Sequence, residues 1–254
     1  MKSIFITGAS AGIGKATAIL FADKGWFVGV SDINASGLEE LKKITGRKIG
    51  YAAALDVTDA QNTFSVLKEF NSAAGGRMDV LFNNAGIFRL GPFEEISLKD
   101  HHAILNINAA GMINCTYHAF PYLKNTKGSR VINMSSVASI IGCPTEATYS
   151  ASKFGVRGFT EALNIEWQRH GIHVCDIMPC FVKTTMVEQN TGKFVDNVGV
   201  YITAEQVAAT VLRAAEHKRL HWVMDRPQNK LFYRCRGFIP DAWERFVLRK
   251  MAGI

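Results

Sequence analysis

The chain has 254 residues, of which 48% are hydrophobic and 20% charged, and this is enough for one well-filled α/β domain. The chain has five cysteines, an odd number, and no Cys-x-x-Cys motif. The sequence therefore indicates neither a disulfide framework nor a zinc site. The formal net charge is +7, and no stretch resembles a nucleic-acid-binding motif. We therefore predict a protein with no metal and no nucleic-acid partner.

Strand-like and helical segments alternate along the chain, which predicts an α/β fold with a doubly wound parallel sheet of about seven strands flanked by helices. Several strand segments, such as residues 80–82, are almost wholly apolar, as expected for strands that are buried on both faces. We expect one domain over residues 1–254. The predicted strands begin near Ser3, Phe27, Lys48, Val80, Ser129, His173 and Leu220.

The first predicted strand passes directly into a glycine-rich turn and then into a helical segment. Gly8, Gly12 and Gly14 have the spacing Gly-x-x-x-Gly-x-Gly. Glycines let the backbone approach a pyrophosphate, and a helix N-terminus offers free N–H groups and a positive dipole end. An ordinary glycine turn is the alternative, and the strand that follows makes it less favoured. We therefore predict a Rossmann-type nucleotide site that also includes Ser10 and Ile13.

The second predicted strand ends at Asp32, about twenty residues past the glycine loop. A carboxylate there can accept hydrogen bonds from the adenosine ribose hydroxyls and would repel a 2′-phosphate. The loop from Gly8 to Gly14 contains no Arg or Lys, so the site favours NAD over NADP. The alternative is that Asp32 is the N-cap of a helix that begins near Ala35.

Tyr149 and Lys153 lie four residues apart in a helical segment, and Ser136 precedes the tyrosine by thirteen residues. Positions i and i+4 share one helix face, so an ammonium group would lie beside the phenol. Such a cation lowers the pKa of tyrosine from its usual value of about 10, which allows proton exchange nearer neutral pH. The pair alone is more typical of an exposed helix with a solvated lysine, but the nucleotide motifs favour a catalytic role.

Together these motifs resemble the short-chain dehydrogenase/reductase family in its single-domain form. The resemblance rests on several motifs that occur in the family's order, and it extends to about residue 220. It implies an oxidoreductase that transfers a hydride between a nicotinamide and a secondary alcohol or ketone. Tyr149 would be the general acid/base, Lys153 would lower its pKa and bind the nicotinamide ribose, Ser136 would orient the substrate oxygen, and Asn108 would hold a water linking Lys153 to solvent.

The resemblance also implies the remaining cofactor contacts and an oligomer. Members of that family generally associate through two long helices, here near residues 98–123 and 147–171, so we expect a homodimer or homotetramer. Two alternatives stay open: a nucleotide-binding redox sensor or scaffold on the same fold, and an NADP-dependent carbonyl reductase. The implied cofactor contacts beyond the glycine loop and Asp32 are Asp56, Val57, Asn84, Ala85, Gly86, Tyr149, Lys153, Pro179, Val182 and Thr184.

The substrate side is less clearly defined. Cys180 stands where the family usually has glycine, and its side chain would either narrow the pocket or simply pack. We expect an apolar pocket and a hydrophobic alcohol or ketone as substrate, with a substrate loop near residues 185–200. The predicted pocket residues are Arg89, Leu90, residues 140–145, Cys180, Phe181 and residues 186–200.

The segment 226–254 departs from the family pattern. Its last part predicts a helix with an apolar stripe formed by Ile239, Trp243, Phe246, Val247 and Met251, and Pro240 suits the first helical position. The helix would pack on its own domain near the substrate loop, on a neighbouring subunit or on a membrane surface, and we favour these in that order. The first residues already form a core strand and no apolar run could span a membrane, so we expect a cytoplasmic protein.

Overall fold

The structure, a computed structural model, describes residues 1–253 apart from the side chain of Arg47. Ile254, the last residue of the predicted domain, lies outside the described residues. The strands are β1 (Ser3–Thr7), β2 (Phe27–Asp32), β3 (Ile49–Ala54), β4 (Val80–Asn83), β5 (Arg130–Met134), β6 (His173–Pro179), β7 (Val182–Lys183), β8 (Ile202–Thr203) and β9 (His221–Met224). The helices are α1 (Gly12–Asp23), α2 (Ala35–Thr45), α3 (Ala60–Ala73), α4 (Leu98–Leu105), α5 (Met112–Lys124), α6 (Ala147–Glu166), α7 (Thr185–Glu188), α8 (Lys193–Val198), α9 (Ala204–Glu216), α10 (Pro227–Cys235) and α11 (Asp241–Ala252).

Seven strands form one parallel sheet in the order β3-β2-β1-β4-β5-β6-β9. The predicted doubly wound fold is confirmed, and each of its strands begins within one residue of the predicted start. The chain leaves β1 towards β2 on one side and returns to β4 on the other. Ligands of open α/β sheets bind at such a reversal, beyond the carboxyl ends of the strands.

Alternation of side chains along the central strands builds two cores, one on each face of the sheet. Ile4 and Ile6 of β1 pack into one apolar cluster, whereas Phe5 between them packs into the other. All five residues of β1 and all four of β4 are buried, as two-sided helix coverage requires. Helices α1 and α9 cover the first face, and α3 and α5 cover the second.

A second, two-stranded sheet that the sequence did not indicate closes the predicted substrate loop. β7 pairs in parallel with β8, with Val182 opposite Ile202 and Lys183 opposite Thr203. Residues 184–201, between these two strands, contain the short helices α7 and α8. Because β7 and β8 are paired, both ends of this loop lie next to each other. This pairing fixes both ends of the loop beside the carboxyl end of β6.

The C-terminal helix α11 packs on its own domain, as the favoured alternative predicted. Leu248 and Ala252 are buried against Phe194 of α8 and the segment after β5. The predicted stripe is partly wrong, because Trp243 and Phe246 are 60% and 65% exposed. The buried positions are Leu248 and Ala252, each one residue after a predicted stripe residue. The helix begins at Asp241, with Pro240 just before it. None of the helices in the described residues is long and apolar enough to cross a membrane.

Candidate active site

A cavity of about 620 Å³ lies at the carboxyl ends of the central strands. The glycine loop and the end of β2 form one part of its wall, and the ends of β5 and β6 with the start of α6 form another. Every predicted site residue lines this cavity except Gly14 and Asn108. Residues that are far apart in the sequence are therefore gathered around one space.

The glycine loop is pressed against the chain that follows β4. Gly8 has φ +66°, and a Cβ atom there would lie 2.8 Å from the Cα atom of Ala85. A Cβ on Gly14 would overlap the carbonyl oxygen of Gly8, which explains why Gly14 supports the loop without lining the cavity. The Asn84 amide donates to the carbonyl oxygens of Thr7 and Gly8, at 3.0 and 2.9 Å, and holds the loop in this position.

The N-terminus of α1 faces the cavity without a side-chain cap. Ala11 is the N-cap residue and has no side chain that could accept from the first-turn N–H groups. The first turn contains no acidic residue either. Uncapped N–H groups and the positive dipole end can bind an anionic group such as a pyrophosphate.

Asp32 ends β2 beside the glycine loop and lines the cavity. Its Oδ2 accepts from the backbone N–H of Ser10 at 2.9 Å, and its Oδ1 accepts from the N–H of Asn34 at 2.9 Å. The N-cap of α2 is Asn34, whose side chain accepts from Gly37 N, so the alternative that Asp32 caps the helix is wrong. The carboxylate is held at the cavity wall by two N–H groups and keeps free acceptor positions.

Tyr149, Lys153 and Ser136 meet at the opposite part of the cavity. Tyr149 and Lys153 lie on the first turns of α6, and the Lys153 Nζ atom is 5.5 Å from the centroid of the Tyr149 ring. The Lys153 ammonium donates to the carbonyl oxygen of Met134 at 2.8 Å. Ser136 follows β5, and its hydroxyl donates to the carbonyl oxygen of Pro179 at 3.4 Å and accepts from Ala138 N at 3.1 Å. Phe88 contacts the Tyr149 ring edge-on, with centroids 4.8 Å apart.

The predicted lowering of the Tyr149 pKa is wrong for the protein alone. Burial raises the pKa of the phenol above its ordinary value, and the nearby Glu146 carboxyl raises it further, while the polar hydroxyl of Ser136 opposes the rise. Burial also lowers the pKa of Lys153 to about 8. The physical reason is desolvation: an apolar cavity disfavours both the phenolate and the ammonium ion. At neutral pH Tyr149 is therefore a neutral phenol, the form of the side chain that carries a proton.

Asn108 lies behind the cavity wall, in a π-helical turn, Asn106–Gly111, that joins α4 to α5. Its side-chain oxygen accepts from Ile87 N at 2.8 Å, and its amide donates to the carbonyl oxygen of Ile87 at 2.9 Å. The amide also donates to the hydroxyl of Ser152, one residue before Lys153, at 3.2 Å. These contacts tie the chain after β4 to α6, and the predicted water-holding role stays a prediction.

The substrate side of the cavity is apolar and only partly as predicted. Cys180 is 7% exposed, and it both lines the cavity and packs into the core. Burial raises the pKa of its thiol to about 12, so it is an apolar wall residue and not a thiolate. Arg89, Leu90, Ile140 and Thr145 do not line the cavity. The predicted pocket residues that do are Ile141, Cys143, Cys180, Phe181, Met186, Val187, Phe194 and Val198.

Sequence reasoning missed three parts of this wall. Phe88, just after β4, and Glu146, just before α6, both line the cavity. The third part comes from α10 and α11, which close the cavity with mostly apolar side chains. The amphipathic spacing of α11 was visible in the sequence, but no local signal indicated which face would reach the cavity. The residues from these helices are Asn229, Phe232, Tyr233, Val247, Leu248 and Met251.

Fold and site together define a nucleotide-binding oxidoreductase, and comparison with known proteins agrees. The family model for short chain dehydrogenases matches residues 2–193. The chain belongs to the short-chain dehydrogenase/reductase family.

Three known proteins illustrate the similarity. A 3-oxoacyl-[acyl-carrier-protein] reductase of Thermotoga maritima is 35% identical over 221 residues, which cover 83% of this chain and 89% of the relative. A 3-ketodihydrosphingosine reductase of Bacteroides thetaiotaomicron is 30% identical over 97% of this chain and 96% of the relative. The crystal structure of a 3-ketoacyl-(acyl-carrier-protein) reductase from Brucella melitensis, complexed with NADH, aligns with a TM-score of 0.80 and 25% identity over 88% of this chain and 96% of that chain.

Proposed function

We propose that the protein transfers a hydride between NAD and a hydrophobic secondary alcohol or ketone. The observation that carries this proposal is the meeting of Ser136, Tyr149 and Lys153 in the same cavity as the glycine loop and Asp32. A binding protein that only senses the nucleotide would not need an acid, a cation and a hydroxyl beside the apolar part of the cavity.

The residues around the cavity fit a nicotinamide dinucleotide. The close approach of Gly8 to Ala85 leaves room only for backbone, and the uncapped start of α1 offers N–H groups to the pyrophosphate. Asp32 would accept from the ribose hydroxyls, and a 2′-phosphate there would meet a fixed carboxylate. These two features favour NAD over NADP. The bound dinucleotide would supply hydride transfer at its nicotinamide ring.

Each residue of the polar cluster has a distinct role in this proposal. The neutral phenol of Tyr149 donates a proton to the carbonyl oxygen during reduction, or accepts one through its phenolate form during alcohol oxidation. Ser136 holds the same oxygen through its hydroxyl. Lys153 keeps a positive charge near the phenolate when that form arises, and its anchor on Met134 fixes the position of that charge.

The apolar wall favours a substrate with a long hydrocarbon portion. Phe181, Phe194 and the residues of α11 surround the space beyond Tyr149 with few polar groups. The Bacteroides relative, a 3-ketodihydrosphingosine reductase by name, aligns over 97% of this chain. A ketone or secondary alcohol with a long alkyl chain is therefore the substrate class that we propose.

We also propose that the chain is a homodimer or homotetramer through α4, α5 and α6. These helices carry large apolar side chains that are open to solvent in the single chain: Leu98 is 69% exposed, Tyr117 74% and Ile165 71%. Association would cover them and would brace the helix that carries Tyr149 and Lys153.

A panel of secondary alcohols and ketones of increasing chain length, assayed with NAD(H) and NADP(H) by nicotinamide fluorescence, tests the proposed function. We expect turnover with NAD(H), and kcat/KM should rise with chain length. A protein that binds NADH but converts no member of the panel would be a sensor or scaffold, and a clear NADP(H) preference would contradict the role of Asp32.

A further inference from the structure

Glu146 is a carboxylic acid placed in the apolar part of the cavity. It directly precedes α6, is only 3% exposed, and lines the cavity together with Cys143 and Tyr149. Its charge would act on the titration of Tyr149, Cys143 and Cys180, which face it from α6, the turn after β5 and the end of β6. The carboxyl thus lies close to the proposed acid/base.

The carboxyl group has no structural task within the described residues. Glu146 is the N-cap residue of α6, yet its side chain does not cap the helix. Its Oε1 atom is buried and has no hydrogen-bond partner, and no ion pair among the described residues includes it. Its backbone, by contrast, is fully used: the N–H donates to the carbonyl oxygen of Cys143 at 3.2 Å, and the carbonyl accepts from Ser150 N at 2.7 Å. Buried polar groups without partners are rare and call for a ligand or a functional explanation.

The turn that presents Glu146 is held in an unfavourable conformation. Thr145 has φ +66°, and among the described residues it alone combines a positive φ with a side chain. Its carbonyl accepts from Gly91 N at 3.0 Å, which ties the turn to the loop after β4. A side-chain-bearing residue adopts the left-handed region only where its surroundings fix it there, and such residues cluster at ligand sites.

We propose that Glu146 recognises a hydrogen-bond-donating group, a hydroxyl or an ammonium, on a substrate carbon close to the reacting carbon. This inference rests on the proposed function and deepens it. The preferred substrate is then a long-chain alcohol or ketone with a polar donor beside the reacting centre, and a simple alkyl ketone would leave the carboxyl unpaired.

The protonation of the carboxyl fits either donor. Burial raises the pKa of Glu146 to about 8, so near neutral pH the group is largely a carboxylic acid. In that form it both donates to and accepts from a substrate hydroxyl. A substrate ammonium would stabilise the carboxylate instead, because an opposite charge at short range favours the ionised form.

Three matched substrates separate these possibilities: decan-2-ol, decane-1,2-diol and 1-aminodecan-2-ol, each assayed for kcat/KM with NAD. In the wild type we expect the diol, the amino alcohol or both to exceed the plain alcohol by about tenfold or more, because the plain alcohol leaves a buried polar group unpaired. Glu146→Leu should reduce every such preference to about one. Glu146→Gln should keep part of a hydroxyl preference and lose at least about tenfold of an ammonium preference.

Glu166→Gln is the matched control, because Glu166 lies exposed at the far end of the same helix. It should leave the substrate ratios of the wild type unchanged. Thermal unfolding and NADH binding are measured for each variant; if Glu146→Leu does not fold, the isosteric Glu146→Gln carries the test through the ammonium ratio.

The failures of the two proposals differ. If the wild type oxidises all three alcohols with ratios near one, or if Glu146→Gln and Glu146→Leu keep the wild-type ratios, Glu146 does not recognise a donor, while the proposed function stands. If none of the three alcohols is oxidised, the proposed function fails and this inference with it.

Discussion

Replacement of Glu146 by Gln should change how the stability of the protein depends on pH. The folded protein holds the Glu146 proton with a pKa of about 8, against 4.5 for the free group. A carboxyl whose folded pKa is raised contributes its full stability below pH 4.5 and loses it progressively as the pH rises to 8. Gln does not titrate, so the free energy of unfolding of the variant does not include this pH-dependent fall.

The magnitude follows from the same two values. Each pKa unit corresponds to about 1.4 kcal/mol, so a rise from 4.5 to about 8 gives about 5 kcal/mol as an upper limit. We expect the free energy of unfolding of the wild type, relative to Glu146→Gln, to fall by about 3–5 kcal/mol between about pH 5 and pH 8. Lys153, whose pKa is lowered to about 8, gains stability as the pH rises above 8, but this effect is common to both proteins and cancels in the difference.

Urea unfolding followed by tryptophan fluorescence measures this difference at intervals of one pH unit. The chain has four tryptophans, and the protein concentration is kept constant because an oligomer would couple stability to concentration. The free energy of unfolding of Glu166→Gln should change with pH in the same way as that of the wild type. A difference between wild type and Glu146→Gln that is constant from pH 5 to pH 8, or that changes in the opposite direction, would refute the assignment of a buried, protonated carboxyl.

Three further variants test other parts of the site and the fold. Asp32→Ala should narrow the proposed preference of kcat/KM for NAD over NADP by about tenfold or more, since it removes the carboxylate that we propose accepts from the ribose. An unchanged ratio would contradict this role. Lys153→Ala should lose both turnover and part of the NADH affinity measured by fluorescence titration, and retention of either would separate the two roles given to the lysine. Deletion of residues 240–254 should lower the midpoint of thermal unfolding, because burial of the Leu248 side chain alone contributes about 1.5–3 kcal/mol. The intact protein should sediment only weakly with anionic vesicles, and strong sedimentation would favour a membrane-bound α11.

The fold could be predicted from the sequence because its strongest signals are local. Strands such as β1 and β4 are short, mostly apolar runs, so their starts were predicted to within one residue. The same is true of the cofactor side, where Gly8 and Asp32 follow directly from strand ends. In a parallel sheet, all such ends lie on one edge, so their meeting needs no knowledge of distant contacts.

The substrate side depends on contacts between distant segments, and here prediction was incomplete. The β7–β8 pair is too short to leave a sequence pattern, and the buried face of α11 depends on where Phe194 lies. Glu146 is a single residue whose burial could not be predicted from the local sequence. In the sequence it is an acidic residue near a helix start, a typical exposed position, and only the folded chain shows that its carboxyl is buried beside Tyr149.

The prediction for the pKa of Tyr149 was wrong for a related reason. The spacing of Tyr149 and Lys153 correctly placed a cation near the phenol. It carried no information on burial, which raises the pKa of the phenol and lowers that of the amine. Two groups that share an apolar cavity are each shifted towards their neutral forms, whatever their separation along the helix.

The most direct test of the proposed mechanism is a comparison of wild type and Tyr149→Phe on one long-chain secondary alcohol, with NADH binding measured on the same samples. The substitution removes only the phenolic oxygen, so nucleotide affinity should stay within about twofold, while kcat/KM should fall by a factor of about 10² to 10⁴. A variant that keeps more than a few per cent of the wild-type activity, with about the same NADH affinity, would show that Tyr149 is not the group that exchanges the proton.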